Sequence, residues 1–394
     1  MILGDLGAEI IKVEHPDPIK DIARFHPPFV KGKKSRIGSL FYQINRNKKS
    51  ITLDYTKPKG REIFLKLARD ADVVVESFKP GTMDHFDIGK ERLKEANPDL
   101  IFCSINGYGQ TGPRSKEPGH DMNYLSIAGL LQMNGRLDDP PLPYPIPFGD
   151  YIGALFGVIG VLGQLAGKKL KKNDNDNQGK DTNFIHIDAS IYESVFSLLH
   201  VYNCKHMTGS DEFEKDEEVL CGYYPFYRLY ECKDGKHVAL GAIEDKFWRR
   251  FCDAIGRPEL KSEQFAGIDY ISDALNLKSC WNTEDVNETI EKIMLQRDRD
   301  DWVRFLNDHD ICCTPVNSIP DAWNDPQATS RQLLIDVEDG EYGTRSHLRS
   351  PLIFNGKALD INPAPVQGQH NDEIYSKFGM NEEDLKKLKR KRII

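Results

Sequence analysis

The sequence has 394 residues and a net charge of −8, and it is 39% apolar and 29% charged. Its length suggests two domains, or one large domain with an insertion, and its balance is that of an ordinary soluble globular chain. The acidic excess argues against general nucleic-acid binding. Eight scattered cysteines with no CxxC pair show neither a zinc site nor a redox motif, and read as reduced core thiols of an intracellular protein.

Met1 to Gly7 reads as helix and Ala8 to Glu14 as a strand, ended by His15-Pro16-Asp17-Pro18. No basic segment followed by a long apolar one opens the chain, so no signal peptide is predicted. Residues 17–38 show no period and read as a long loop. Asn45-Arg46-Asn47-Lys48-Lys49 reads either as a phosphate-holding strand entrance or as a solvated charged loop. Ser50 to Asp54 is a short strand, and Pro58 to Arg69 is a helix with proline in its first turn. Ala71 to Glu76 is a continuous apolar strand of the kind buried on both faces. Lys90 to Ala96 is helical, Asn97-Pro98 stops it, and Leu100 to Ile105 is another strand. The alternation predicts an α/β fold with a parallel, doubly wound, Rossmann-like sheet, in which ligands bind beyond the carboxyl ends of the strands.

After Ile105 comes a glycine-rich loop, Asn106-Gly107-Tyr108-Gly109-Gln110-Thr111-Gly112-Pro113. Glycine lets a backbone approach a ligand closely, though a plain turn fits the segment equally. It matches neither GxGxxG nor the Walker pattern, so neither NAD nor ATP is implied. The loop leads to Gly119-His120-Asp121-Met122-Asn123-Tyr124, with a histidine beside a helix start. Phe148-Gly149-Asp150 then sets a carboxylate at the mouth of an apolar helix, Tyr151 to Ala166. Its ~16 residues span ~24 Å, short of a ~30 Å hydrocarbon layer. It also carries Gln164 and four glycines, so it reads as a buried core helix and no membrane association is expected. His120 can exchange a proton near neutral pH or be a hydrogen-bonded structural histidine. Asp150 can be a base or a helix N-cap. Facing each other across one substrate carbon, the two would form a two-base proton-transfer site.

Lys168 to Asp181 is a polar low-complexity surface loop. Phe184 to Asp188 reads as a strand, Ala189 to His200 as a helix and Ser210 to Glu218 as an acidic loop. Tyr227 to Glu231 and His237 to Ala242 flank Lys233-Asp234-Gly235-Lys236, a hairpin signal. Helices follow at Asp245 to Ile255, ended by Gly256, at Thr283 to Gln296 and at Asp300 to Asn307. The organisation predicted is a large domain over 1–200, a linker over 201–222, a smaller α+β domain over 223–312, and a return segment over 313–394 completing the large domain. The return starts near Thr314-Pro315-Val316 and ends in a charged helical tail from Asn371.

Several stretches taken together resemble the family III CoA-transferase (CaiB/BaiF) superfamily. They are Asp5-Leu6-Gly7-Ala8-Glu9-Ile10-Ile11-Lys12-Val13-Glu14, Asn45-Arg46-Asn47-Lys48-Lys49-Ser50-Ile51, Asp72-Val73-Val74-Val75-Glu76-Ser77-Phe78-Lys79-Pro80-Gly81, Asn97-Pro98, Gly107-Tyr108-Gly109-Gln110 and Gly368-Gln369-His370-Asn371-Asp372-Glu373-Ile374. Within that superfamily, Gly119-His120-Asp121-Met122-Asn123-Tyr124 and Gly241-Ala242-Ile243-Glu244 are similar to the α-methylacyl-CoA racemase branch. The resemblance implies an interlocked homodimer of large and small domains, with active sites between subunits. It implies acyl-CoA thioester substrates branched at the α-carbon, whose R and S forms would be interconverted, with no metal or redox cofactor. It also implies a mitochondrial or peroxisomal setting, although Arg392-Ile393-Ile394 is not a peroxisomal Ser-Lys-Leu signal.

Carried over by position, His120 and Asp150 are the two bases. Glu244, otherwise a carboxylate at a helix N-terminus, supports the histidine. His15, Leu53, Asp54, Tyr55, Thr56 and the run Gly119, His120, Asp121, Met122, Asn123, Tyr124 match the CoA-thioester contacts; His15 stands where racemases carry an arginine near the CoA phosphates. One alternative is CoA transfer with Asp150 as nucleophile. His120 argues against it, because transferases typically carry another residue there, often tyrosine. Another is a truncated product that only binds CoA or pairs with an intact subunit. Family members have a first strand before the segment matching Met1, so an incomplete start is expected.

Overall fold

The computed structural model describes residues 1–135, 139–173, 183–207, 209, 220–265 and 281–394. These divide into two compact units. One comprises Met1–Tyr124, Pro147–Val195 and Trp323–Ile394, and the other Leu125–Ile146 and Phe196–Ala322. The second unit is thus wider than the 223–312 read from sequence.

The strands of the first unit are β1 (Ile10–Glu14), β2 (Phe29–Lys31), β3 (Arg36–Gly38), β4 (Lys48–Thr52), β5 (Val73–Glu76), β6 (Ile101–Asn106) and β7 (Ile185–Ser190). β1 and β4 pair in parallel, Ile10 opposite Lys48. β5, β6 and β7 form a second parallel sheet, with Glu76 opposite Ser104 and Ser104 opposite Asp188. The single doubly wound sheet expected from sequence is therefore in two pieces, because no described strand bonds the remaining edge of β1 or of β5. The same edge position corrects the reading of β5 as buried on both faces: Val75 is 50% exposed.

Local sequence explains the helices that flank these sheets. Helix Pro58–Arg69 starts on a proline whose fixed φ suits the first turn, and ends with Lys66 and Arg69 near its negative end. Ile63, Phe64 and Leu67 lie on one face of it and pack with Ile51, Leu53 and the C-terminal helices. Those helices are Asn371–Lys377 and Glu382–Arg390; the second is opened by an Asn381–Asp384 capping box.

Residues 17–38 are not a plain loop. They hold the β2–β3 hairpin, which is pinned by a segment distant in sequence. Glu341 accepts from the backbone N–H groups of Lys34 and Ser35, at 2.7 and 2.9 Å. Asn45–Lys49 is neither a phosphate cradle nor a solvated loop. Arg46 is 2% exposed and forms a two-pronged pair with Asp5, at 2.7 and 3.0 Å. Lys49 bridges Glu9 and Glu373, and burial, with Lys12 nearby, pulls the Lys48 ammonium down to about 8.

The long helix runs Phe148–Asn173, well beyond the Tyr151 to Ala166 read from sequence. It absorbs Lys168 to Asn173 of the expected surface loop; the rest of that loop, and the acidic Ser210 to Glu218, lie outside the described residues. Its glycines explain one face. A Cβ on Gly153 would sit 2.7 Å from Ile191, on Gly157 2.9 Å from Ile105, and on Gly160 3.3 Å from Ile187. The missing side chains let the helix axis approach β6 and β7 closely. The opposite face corrects the core-helix reading: Tyr151, Leu155, Ile159 and Leu162 recur at helical spacing and are all exposed. By length and composition Phe148–Leu170 could cross a membrane, the one such helix among the described residues.

In the second unit, β8 (Tyr227–Glu231), β9 (His237–Gly241) and β10 (Cys313–Pro315) form an antiparallel sheet, the first two joined at Gly235 with φ +72°. Helices Asp245–Ala254, Thr283–Met294 and Arg299–Asp308 cover one face, around Trp248, Phe251, Tyr230, Ile290 and Trp302. Thr314-Pro315-Val316 therefore belongs to this sheet rather than starting the return. In the return segment, β11 (Leu334–Val337) pairs with β12 (Arg345–Leu348).

Candidate functional site

The segments that follow the carboxyl ends of β5 and β6 meet the histidine segment singled out from sequence. β5 delivers Ser77-Phe78-Lys79-Pro80, and β6 delivers Asn106-Gly107-Tyr108. With Ser115, the run Glu117 to His120, Asn123 and Tyr124, these line a cavity of about 480 Å³. Glu76 shapes one wall by accepting the Phe78 N–H at 2.6 Å. Asn106 shapes another: its Oδ1 accepts the Gly109 N–H at 2.6 Å, and its Nδ2 is buried without a partner.

The histidine segment is clamped by tyrosine. Tyr124 donates to the Gly119 carbonyl at 2.6 Å and meets Tyr108 edge to face at 5.0 Å. Its ring fills the space a side chain would need at Gly107, where a Cβ would lie 2.4 Å away, and at Gly119, where it would lie 2.7 Å away. Asn123 Oδ1 accepts the His120 N–H at 3.0 Å, so the backbone on both sides of His120 is fixed while the residue itself is exposed.

Asp150 is the third residue of the long helix, within its first turn and not at the N-cap. Partial withdrawal from water pushes its carboxyl above the ordinary range, the negative Asp121 adds to this, and His120 opposes it. His120 lies on the cavity wall, and Asp121 and Asp150 lie close enough to it for their charges to interact. Tyr124 faces them too, its hydroxyl pushed up by burial and then by Asp150. Asp121 Oδ1 accepts the Asp150 N–H at 3.0 Å. Met122 is on the exposed side of helix Asp121–Ile127.

The remaining sequence candidates fall at the ends of β1 and β4. His15 Nε2 lies 3.7 Å from Asp54 Oδ1, and its Nδ1 accepts the Asp17 N–H at 2.9 Å. Burial drives the Asp54 carboxyl up, but bonds from Thr56 and Lys57 outweigh this and hold it below the usual range. Leu53 is fully buried, so its side chain belongs to the core. Thr56 is exposed and Tyr55 half-buried. Tyr55 meets Phe78, a cavity-lining ring, with centroids 6.3 Å apart, which links this span to the same cavity. Glu244 belongs to the second unit, where it is the exposed N-cap residue of helix Asp245–Ala254 and makes no capping bond.

Sequence reasoning did not single out Ser77, Phe78, Lys79, Asn106 or Tyr108 as site residues. The signal was available: each follows or ends a predicted parallel strand at its carboxyl end. Lys79 places an exposed cation at the cavity, suited to a phosphate or carboxylate. Among the described residues, no group of three or more His, Cys, Asp or Glu side chains is placed to hold a metal ion.

A model of CoA-transferase family III matches residues 1–371. A succinyl-CoA:mesaconate CoA-transferase of Haloarcula hispanica is 31% identical over 398 residues, covering 96% of this chain and 92% of the relative. Human alpha-methylacyl-CoA racemase is 26% identical over 396 residues, covering 100% and 92%. A solved CAIB/BAIF family protein from Brucella suis superposes with a TM-score of 0.76 at 26% identity, covering 95% of this chain and 93% of that one.

Proposed function

This chain belongs to CoA-transferase family III, and from that premise we propose that it is an α-methylacyl-CoA racemase. The reading is supported by His120 standing on the cavity wall with Asp150 near enough to feel its charge, and by the Asp121 bond that ties the two segments together. Racemisation removes an α-proton from the thioester and returns one to the opposite face. His120 takes the proton on one side, a role that an imidazole side chain can fill. Asp150, its carboxyl pushed above the usual range, gives one on the other. The developing enolate oxygen is stabilised by oriented N–H groups, favoured by the positive end of the Phe148–Asn173 helix. Lys79, on the cavity wall, meets a phosphate of the CoA moiety. CoA enters as part of the substrate, and the reading calls for no other cofactor.

The exposed row Tyr151, Leu155, Ile159 and Leu162 supports the second part of the proposal, an interlocked homodimer in which a second copy covers this face. The test is to supply a pure R or pure S 2-methylacyl-CoA alone. Conversion of each toward the same mixture, with no second acyl partner, supports the reading. No conversion from either side defeats it.

A second reading follows from similarity to transferases, of which the Haloarcula relative is 31% identical. Here Asp150 attacks the acyl-CoA carbonyl and CoA leaves, giving an acyl-aspartyl anhydride. Borohydride or hydroxylamine trapping of an acyl group at Asp150 after incubation with a donor thioester, followed by its transfer to an added acceptor acid, would favour transfer over racemisation.

A further inference from the structure

Asp121 directly follows His120, yet its side chain is engaged elsewhere. Its Oδ1 accepts the backbone N–H of Asp150 at 3.0 Å, across 29 residues of chain. The N–H groups of a helix's first turn have no acceptor within the helix. Asp150, third in the Phe148–Asn173 helix, therefore needs one from outside, and Asp121 supplies it. A negative group is also favoured at that end of the helix by the aligned peptide dipoles. On the other side, Asn123 accepts the His120 N–H and Tyr124 holds the Gly119 carbonyl. One short segment thus fixes the histidine by its backbone and the aspartate segment by a side chain.

We propose that Asp121 is a positioning residue for proton transfer. It locks the segment bearing Asp150 to the segment bearing His120, and sets a second negative charge beside the Asp150 carboxylate. Capping alone would need only an acceptor oxygen, which asparagine offers as well. The ionisable groups facing Asp150 are Asp121, His120 and Tyr124. Of these, Asp121 disfavours the ionised form of Asp150, and protonated His120 favours it. With Asp121 in place, Asp150 holds a proton to a higher pH, which an acid that must return a proton requires.

The catalytic consequence rests on the two-base reading, but the coupling is readable without turnover. In Asp121→Asn the acceptor oxygen remains and the charge is gone. We expect the fold to persist, the carbon-13 titration midpoint of the Asp150 carboxyl to move to lower pH, and the acid limb of α-proton exchange to move with it. Asp121→Ala also removes the acceptor and should lose more kcat than Asp121→Asn. An Asp150 midpoint unmoved in folded Asp121→Asn would overturn the proposal, as would wild-type kcat in Asp121→Ala. If Asp121→Asn fails to fold, the wild-type protein decides: mutually inflected titration curves for the two carboxyls support the coupling, and two independent single-site curves overturn it. Coupled titration without exchange of any 2-methylacyl-CoA would reject the racemase reading while leaving the coupling intact.

Discussion

The glycine stripe of the long helix makes a prediction of opposite sign at two positions. In Gly157→Ala the new methyl lies 2.9 Å from the Ile105 Cδ1 and 3.2 Å from its Cγ1, so the Ile105 side chain must turn aside or the helix must move off the strand. Overpacking of this kind costs about 1–3 kcal/mol, from which the helix propensity of alanine over glycine returns about 1 kcal/mol. The net expectation is a loss of up to about 2 kcal/mol. Gly163 is exposed and has nothing within 4 Å of a built Cβ, so Gly163→Ala should keep the propensity gain and stabilise by about 1 kcal/mol. The assay is urea unfolding of both variants at fixed protein concentration, followed by circular dichroism. Because Gly157 lies two turns from Asp150, its variant should also lower turnover, and Gly163→Ala should not. Equal changes in the two midpoints, or a stabilised Gly157→Ala, would refute the claim that the missing side chains set the helix-to-sheet distance.

Tyr124→Phe keeps the ring between Gly107 and Gly119 but loses the 2.6 Å bond to the Gly119 carbonyl. One such bond contributes about 1 kcal/mol, so steady-state kcat should fall about fivefold; an unchanged kcat would separate the clamp from catalysis. His347 is fully buried, and among the described residues neither ring nitrogen has a hydrogen-bond partner. Burial, and then Arg46, lowers its pKa below the ordinary 6.5. The unfolded chain therefore takes up a proton that the folded chain refuses, so stability is lost as pH falls below about 6.5. His347→Phe should flatten that loss in denaturation curves between about pH 7 and 5; an unaltered pH slope would contradict this. Light scattering at micromolar concentration should give a dimer, and Ile159→Glu a monomer. An active wild-type monomer would dismiss the proposed pairing through this helix.

Much of the fold was legible locally. The Pro58–Arg69 and Lys90–Ala96 helices appear as read because proline, basic last-turn residues and Asn97-Pro98 mark their ends. The 227–241 hairpin likewise carries its turn in Lys233-Asp234-Gly235-Lys236. What failed depended on distant partners. Nothing near Arg46 in sequence says that Asp5 will bury it, and nothing near residues 29–38 says that Glu341 will hold a hairpin there. The long helix showed a similar limit: its apolar composition was visible, but which face packs on Ile105 and Ile187 depends on glycine positions interpretable only against the sheet. At the site, residue types beside helix starts pointed to His120 and Asp150, while Lys79 and Asn106, which follow predicted strand ends, were seen to share one cavity only with β5 and β6 side by side.

The central claim is that His120 and Asp150 serve opposite faces of one α-carbon. It is tested most directly by deuterium incorporation from heavy water into single enantiomers of a 2-methylacyl-CoA. The wild-type protein should label both. His120→Ala and Asp150→Asn should each lose net racemisation by about 10²–10⁴-fold. If His120 takes the proton of the S substrate and Asp150 that of the R substrate, residual exchange survives with R substrate in His120→Ala and with S substrate in Asp150→Asn. Full racemisation by either folded variant, or loss of both enantiomers' exchange to the same extent in both, would contradict the two-base account.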